Sequence, residues 1–311
     1  MGDQKEIYSA LLNAKKRGVK IRAVSDFSRN LIETYSFSDE FNKDFNAVLD
    51  KTSSLMHNKF FIFDNKVVMS GSLNISATGS GGYNSNSAVF IYDENIAKVY
   101  SEEFNQMYNS KFSKEKNSSN FKQDNSIIKA YFSPKDNVYN NVLKQKILNA
   151  KKSIYVSAFY LTDKDMINDL ISVSNKGIEV LIILDATSAN NFKELVHKMR
   201  SSNIKLIVEN WGGKNHEKTI AIDDDTLIIG SCNFSKSGFY KNDENILVFK
   251  NSSMTKFYKD YYLYLFNSID KKYLISIPRA EGVESINSCN DGIDNNFDGK
   301  IDNKDEACKI N

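Results

Sequence analysis

Two short stretches hold the residues that could do chemistry. His57-Asn58-Lys59 is followed by Asp64 and then by Gly71-Ser72-Leu73-Asn74. The pattern returns as His216-Glu217-Lys218, Asp223 and Gly230-Ser231-Cys232-Asn233, with every equivalent position offset by 159. A histidine and a lysine one residue apart on a strand face the same side. Each copy therefore delivers an imidazole, an ammonium, a hydroxyl and an amide to one end of a sheet. The doubled set suits a phosphodiester. One neutral imidazole can attack phosphorus and form a phosphohistidine, while the other, protonated, donates to the leaving oxygen. Two lysines and two Ser/Asn pairs can hold the equatorial oxygens as charge develops. That step requires no metal or other cofactor.

The elements that must position these residues repeat too. Ile7 to Lys16 reads as a helix leading through Arg17-Gly18 into an apolar run, Val19 to Val24, that ends at Ser25-Asp26. The same order appears at Leu170-Ile171, Lys176-Gly177, Ile178 to Leu184 and Asp185, with Gly18 and Gly177 again 159 apart. Each glycine is expected to end its helix in the left-handed conformation. Phe60 to Phe63 and Val67 to Met69 read as strands joined by a turn at Asp64-Asn65, matched by Thr219 to Ile222 and Leu227 to Ile229 around Asp223-Asp224. Each motif is followed by a Gly/Ser-rich loop, a strand (Ala88 to Tyr92; Ile246 to Lys250) and a helix (Glu94 to Phe112; Ser252 to Asn267). Helices alternating with apolar strands, in a repeat of this length, predict an α/β protein of two similar halves.

The copies differ at their beginnings. The second has a helix over Val138 to Ala150 and a strand over Ser153 to Tyr160. Shifting that strand by 159 places its counterpart before residue 1. The expectation is a first half lacking its first strand, as a late start or a split gene would leave it.

Composition bounds the rest. The 311 residues carry a net charge of +2, which does not suggest a dedicated polyanion binder and leaves room for a local basic cleft. No apolar run reaches the roughly 18 residues of a membrane span. The first residues have neither the apolar core of a signal peptide nor a myristoylation pattern. His216-Glu217 does not begin a zinc helix, because position 220 is isoleucine. Gly79 to Gly82 reads as a flexible rim loop, without the lysine of a phosphate loop. His197 reads as solvated in a polar helix from Phe192 to Arg200. Trp211-Gly212-Gly213 suits an entrance lining or a packed turn equally.

His-x-Lys-(x)4-Asp-(x)6-Gly-Ser-x-Asn, present twice, resembles the HKD motif of the phospholipase D superfamily, and the likeness runs from about Glu6 to Phe266. The resemblance implies two similar α/β halves, with mixed sheets flanked by helices, related by a pseudo-twofold with the active site at their interface. It implies His57 as nucleophile and His216 as general acid. Lys59, Lys218, Ser72, Asn74, Ser231 and Asn233 would bind phosphate, and Asp64 and Asp223 would be structural. The family usually places an acid downstream of each motif to orient a histidine. The second half has Glu244, which by the interface geometry of related enzymes would hold His57. Subtracting 159 from 244 gives Ser85, so His216 is expected to lack a carboxylate partner. The substrate expected first is phospholipid, with possible peripheral membrane contact. A metal-independent endonuclease is the alternative, and a catalytically degenerate, calcium-stabilised binding protein is a third reading.

From Glu281 the composition changes. Taking Asp294 as position 1, oxygen donors fall at Asn296, Asp298, Asp302 and Asp305, with the Lys300 backbone carbonyl between them and Gly299 at position 6. That is close to an EF-hand loop and would suit Ca²⁺. Cys289 and Cys308 bracket it and could pair, while Cys232 reads as buried. The tail resembles calcium repeats of bacterial extracellular proteins, which points to a secreted or cell-envelope protein with a truncated N-terminus. The expected domains are 1–112 (first half), 113–126 (linker), 127–276 (second half) and 277–311 (linker and calcium-binding-like tail).

Overall fold

The computed structural model describes residues 4–27, 37–117 and 127–309, with only the backbone at 37–39. Part of the expected linker, 118–126, lies outside the described residues. The first half comprises α1 (Lys5–Lys16), β1 (Val24–Asp26), α2 (Phe37–Phe45), β2 (Val48–Asp50), β3 (Phe60–Phe63), β4 (Val67–Gly71), α3 (Ala77–Ser80), β5 (Ala88–Tyr92) and α4 (Glu94–Tyr108). In the second, β6 (Ile128–Ser133) is followed by a π-turn at Tyr139–Leu143 that continues into α5 (Lys144–Leu148). Then come β7 (Ser153–Ala158), α6 (Lys164–Asn175), β8 (Glu179–Leu184), α7 (Ala186–Asn191), α8 (Lys193–Arg200) and β9 (Lys205–Val208). The half closes with β10 (Lys218–Ile222), β11 (Thr226–Gly230), α9 (Lys236–Tyr240), β12 (Glu244–Lys250) and α10 (Ser252–Ser268). Both helix-ending glycines are left-handed as expected, Gly18 at φ 93° and Gly177 at φ 94°.

The second half is one seven-stranded mixed sheet in the order β6-β12-β11-β10-β7-β8-β9. Its central strand β7 runs antiparallel to β10 and parallel to β8, and every one of its residues is buried. The first half repeats the registers without that centre. Val24 pairs Val48 where Ile183 pairs Ile207, and Phe60 pairs Ser70 where Thr219 pairs Ile229. Yet β1-β2 and β3-β4-β5 are separate sheets, split at the place β7 fills in the other half. Among the described residues no strand pairs between β1 and β3 as β7 pairs between β8 and β10. Of the strand expected over Val19 to Val24 only Val24 lies in β1, which runs on to Asp26; a strand with no partner on one side has half its ladder to hold it. The helix and strand that cover the equivalent sheet face in the second half have no counterpart among the described residues. Phe90 is accordingly 59% exposed and Tyr92 82%, whereas Val248, opposite Phe90 in the repeat, is 5% exposed.

A second apolar cluster joins the halves. Val68 and Ile91 of the small sheet and Ile96 and Tyr100 of α4 pack with Phe132, Tyr155, Leu247 and Tyr262. Burying each such side chain contributes about 1.5–3 kcal/mol. This contact, rather than the first half's own divided sheet, ties the two motif-bearing ends together. Lys116, at the edge of the expected polar linker, is buried between Glu103 and Asp243, and Lys135 also pairs Glu103. The tail is closed by a Cys289–Cys308 disulfide.

Candidate active site

Each motif is delivered by a strand and a turn. β3 and β4, or β10 and β11, meet at an aspartate in the left-handed region, Asp64 at φ 50° and Asp223 at φ 52°. The Asp223 carboxylate also accepts the N–H groups of Lys151, Lys152 and Ser153, which pins the start of β7. Its role is structural, as the motif implied. Gly71 and Gly230 lie so close to the next strand that a Cβ would stand 2.0 and 2.2 Å from the carbonyl oxygens of Ser87 and Asn245. No other residue fits without moving the strand that carries the histidine partners.

The two halves then exchange those partners. The His57 N–H donates to the Asp243 carbonyl at 2.9 Å, and the Ser85 N–H donates to the Lys214 carbonyl at 2.8 Å. These short bridges, Met56 with Asp243 and Asn215 with Ser85, are equivalent under the pseudo-twofold. Across the first, His57 Nδ1 lies 2.8 Å from both carboxylate oxygens of Glu244. Glu244 is fully buried, and burial pushes its carboxyl up to about 8 against the pull of Lys59, Ser231 and Lys218.

Across the second bridge the partner is Asn86, whose Oδ1 lies 2.9 Å from His216 Nδ1. This corrects the expectation at Ser85. Ala88 pairs Gly71 as Ile246 pairs Gly230, an offset of 158 rather than 159, so Glu244 corresponds to Asn86. One residue fewer separates motif and strand in the second copy, and rigid subtraction misses it. His216 does lack a carboxylate, but it is not without a partner. Its basicity is held well below the usual imidazole value, first by burial and then by Lys218, Lys59 and His57.

Lys59 and Lys218 each donate to the carbonyl of their own histidine at 2.7 Å. Lys218 is 1% exposed, and burial followed by the charge of Lys59 lowers its pKa well below the ordinary lysine value. The Glu244 carboxyl bears on both ammoniums. Asn74 Oδ1 and Asn233 Oδ1 are buried with no hydrogen-bond partner in the protein. A carboxamide can turn to present either end, so both are free to meet an oxyanion. The serines behave differently from the expectation that they bind phosphate. The Ser231 hydroxyl donates to Glu244 at 2.7 Å and the Ser72 hydroxyl to Asn86 at 3.0 Å. Both are fully buried, so their side chains hold the histidines' partners instead of substrate. His57, Lys59 and Asn74 line a cleft of about 130 Å³ that continues between β1 and β3.

Asn86 and the Glu103–Lys116–Asp243 network were not found by reading motifs. For Asn86 a signal existed, since Ala88–Tyr92 matches Ile246–Lys250 only at 158. The lysine network carries no sequence pattern.

The side chains expected as metal ligands make hydrogen bonds within the tail. Asp294 accepts the N–H groups of Asp298 and Gly299, and Asp298 accepts that of Lys300. Asp302 turns away to the N–H groups of Asp291 and Gly292, and Asp305 accepts from Asn296. No group of three or more His, Cys, Asp or Glu side chains gathers as a metal site among the described residues. The tail instead docks on the second half: Asn295 donates to the Gly212 carbonyl at 2.6 Å, and Trp211 bridges to Ile286. Trp211-Gly212-Gly213 is thus a packed turn. His197 is exposed as expected.

Two half-sites traded across a pseudo-twofold define a two-half phospholipase D-like protein. The model of the family described as "Cardiolipin synthase, PLD-like domain" matches residues 1–108 and 143–265, and the chain belongs to that family. It is similar to "Phospholipase D" of Rickettsia bellii, 27% identical over 133 residues that cover 43% of this chain and 66% of that protein. It is also similar to "Mitochondrial cardiolipin hydrolase" of Chlamydomonas reinhardtii, 27% identical over 100 residues covering 32% of this chain and 45% of the relative. The match thus spans less than two thirds of these relatives' own length. Among solved structures, the phosphatidylserine synthase of Haemophilus influenzae superposes with a TM-score of 0.65 at 13% identity, covering 84% of this chain and 76% of the other, a likeness of fold. No described helix is long and apolar enough to cross a membrane.

Proposed function

We propose that the protein is a phosphodiesterase of the phospholipase D type, acting on phospholipid through a covalent phosphohistidine. The observation that carries the reading is the crossed pairing, His57 with Glu244 and His216 with Asn86, beside two lysines and two asparagine Oδ1 atoms without a hydrogen-bond partner among the described residues. With its proton on Nδ1 facing Glu244, His57 holds its Nε2 lone pair for attack. The N–P bond forms as the P–O bond breaks, and the leaving oxygen takes a proton from His216. Water then attacks phosphorus, His216 takes its proton, and the N–P bond breaks to restore His57. Lys59, Lys218, Asn74 and Asn233 face the charge that builds on the phosphoryl oxygens. The names of the relatives favour phospholipid as the substrate.

The test is one panel of phospholipid vesicles, single- and double-stranded DNA and RNA, each with and without EDTA. Cleavage of vesicles that resists EDTA is expected. Cleavage of nucleic acid alone would replace lipid by the endonuclease reading. Binding without turnover by any substrate would leave the degenerate binding protein. We also propose that the tail takes Ca²⁺ through Asp294, Asn296, Asp298, the Lys300 backbone carbonyl, Asp302 and Asp305, a role supported by their oxygen-rich spacing. Calorimetry on the oxidised protein showing no heat with Ca²⁺ would remove it. A secreted or cell-envelope location is supported by the disulfide, which needs an oxidising compartment. Cell fractionation finding the protein in the cytosol with free thiols would contradict it.

A further inference from the structure

We propose that Asn86 is a positioning residue that makes the two catalytic imidazoles unequal: its neutral amide, in the place a carboxylate holds for His57, fixes His216 as the proton-transferring partner. The inference rests on the phosphodiesterase reading for its kinetic consequence, but its structural core does not. Asn86 is held from both ends. Its Nδ2 donates to the carbonyls of Gly79 at 3.2 Å and Asn84 at 3.3 Å. That fixes which end of the amide faces the site, so Oδ1 accepts from the Ser72 hydroxyl and meets His216 Nδ1. An oxygen acceptor at Nδ1 keeps the proton there in the neutral ring. Nε2 is then the position that gains and loses a proton during turnover.

The neighbourhood explains the choice of an amide. The charged groups that bear on His216 are Lys218 on its own strand, Lys59 from the other motif and His57 across the site. The Phe159 ring packs 5.2 Å away, and the Ser72 backbone is the group that favours the protonated ring. Glu217, next in sequence, is turned to Ser87 and Thr219. A carboxylate at 86 would stabilise imidazolium. The amide does not, so the His216 proton is held weakly and is easily given to a leaving alkoxide. Glu244 does the opposite for His57, orienting it and stabilising the positive charge that attack creates on its ring. The pseudo-symmetric site is thereby given a direction.

The test is Asn86→Asp, with Asn86→Ala beside it. NMR titration of the histidine ring protons needs no substrate. We expect Asn86→Asp to raise the His216 midpoint by at least one pH unit while leaving that of His57 within a few tenths. The pH profile of kcat/KM on bis(p-nitrophenyl) phosphate is expected to move its alkaline limb upward with it. Asn86→Ala is expected to lower kcat at least tenfold without restoring that limb. Unmoved titration and profile in Asn86→Asp would overturn the proposal. If the wild type cleaves no phosphodiester yet the His216 midpoint still moves, the functional reading fails and the positioning role stands.

Discussion

At His57 and His216 the difference in partner, a glutamate carboxyl against an asparagine amide oxygen, sets where protons reside. Replacing either histidine by asparagine is expected to lower kcat by at least about 10²–10⁴-fold, measured on whichever panel substrate turns over. The pH dependence follows from the directions of the shifts. His216 is depressed, so the free protein has little of it protonated at neutral pH, and kcat/KM should rise as pH falls from 7. Stability carries a related signature. Burial raises Glu244 to about 8, so the carboxylate that faces His57 is held at a cost to stability, and that cost grows as pH rises from the ordinary carboxylate range to about 8. Glu244→Gln should therefore gain stability relative to wild type across that window and none further above it. Urea melts at pH 5, 7 and 9 check the sign. The two histidines, lysines and asparagines were legible because the chemistry demands those types at those spacings. Asn86 was not, because an amide has no motif and one deleted residue moved it out of register. The serines were legible as residues but not as roles, since which hydroxyl faces substrate depends on how deeply it is buried.

Among the elements, the divided sheet of the first half is the feature most readable in advance. Gly18, Asp26 and the β3–β4 pair repeat their counterparts position by position, and among the described residues nothing pairs between β1 and β3 in the place of β7. What sequence did not give was the consequence: a strand, β1, cut to three residues, and aromatic side chains left bare on β5. A strand with the sequence of β7, fused ahead of α1 through the five residues that join β7 to α6, should enter between β1 and β3. The expected result is a rise in Tm of several degrees and slowed amide exchange in Phe60–Phe63. An unchanged Tm with a freely exchanging added segment would show that the cleft does not accept it. The buried lysine at the end of the first half works on the same scale. Lys116→Ala leaves Asp243 without its ammonium and Glu103 with Lys135 alone, beside the bridge that orients His57, and should cost about 3–5 kcal/mol in urea unfolding.

Over the whole molecule, function depends on the halves staying in contact, since each supplies the partner of the other's histidine. Two devices hold them: the shared apolar cluster around Tyr100 and Tyr262, and the tail, whose Asp291 takes a hydrogen bond from Tyr83 of the first half while Asn295 binds Gly212 of the second. Opening the Cys289–Cys308 disulfide should cost about 2–4 kcal/mol, while EDTA-resistant turnover persists below the new melting temperature. The central claim is that a phosphoryl group passes through a covalent bond to one particular histidine. Rapid alkaline quench of the reaction with a labelled phosphodiester, followed by peptide mapping at alkaline pH, measures this directly. Label on His57, absent in His57→Asn and retained longer in His216→Asn, is the predicted result. Label on His216, or turnover with no trapped phosphohistidine under any quench, would contradict it.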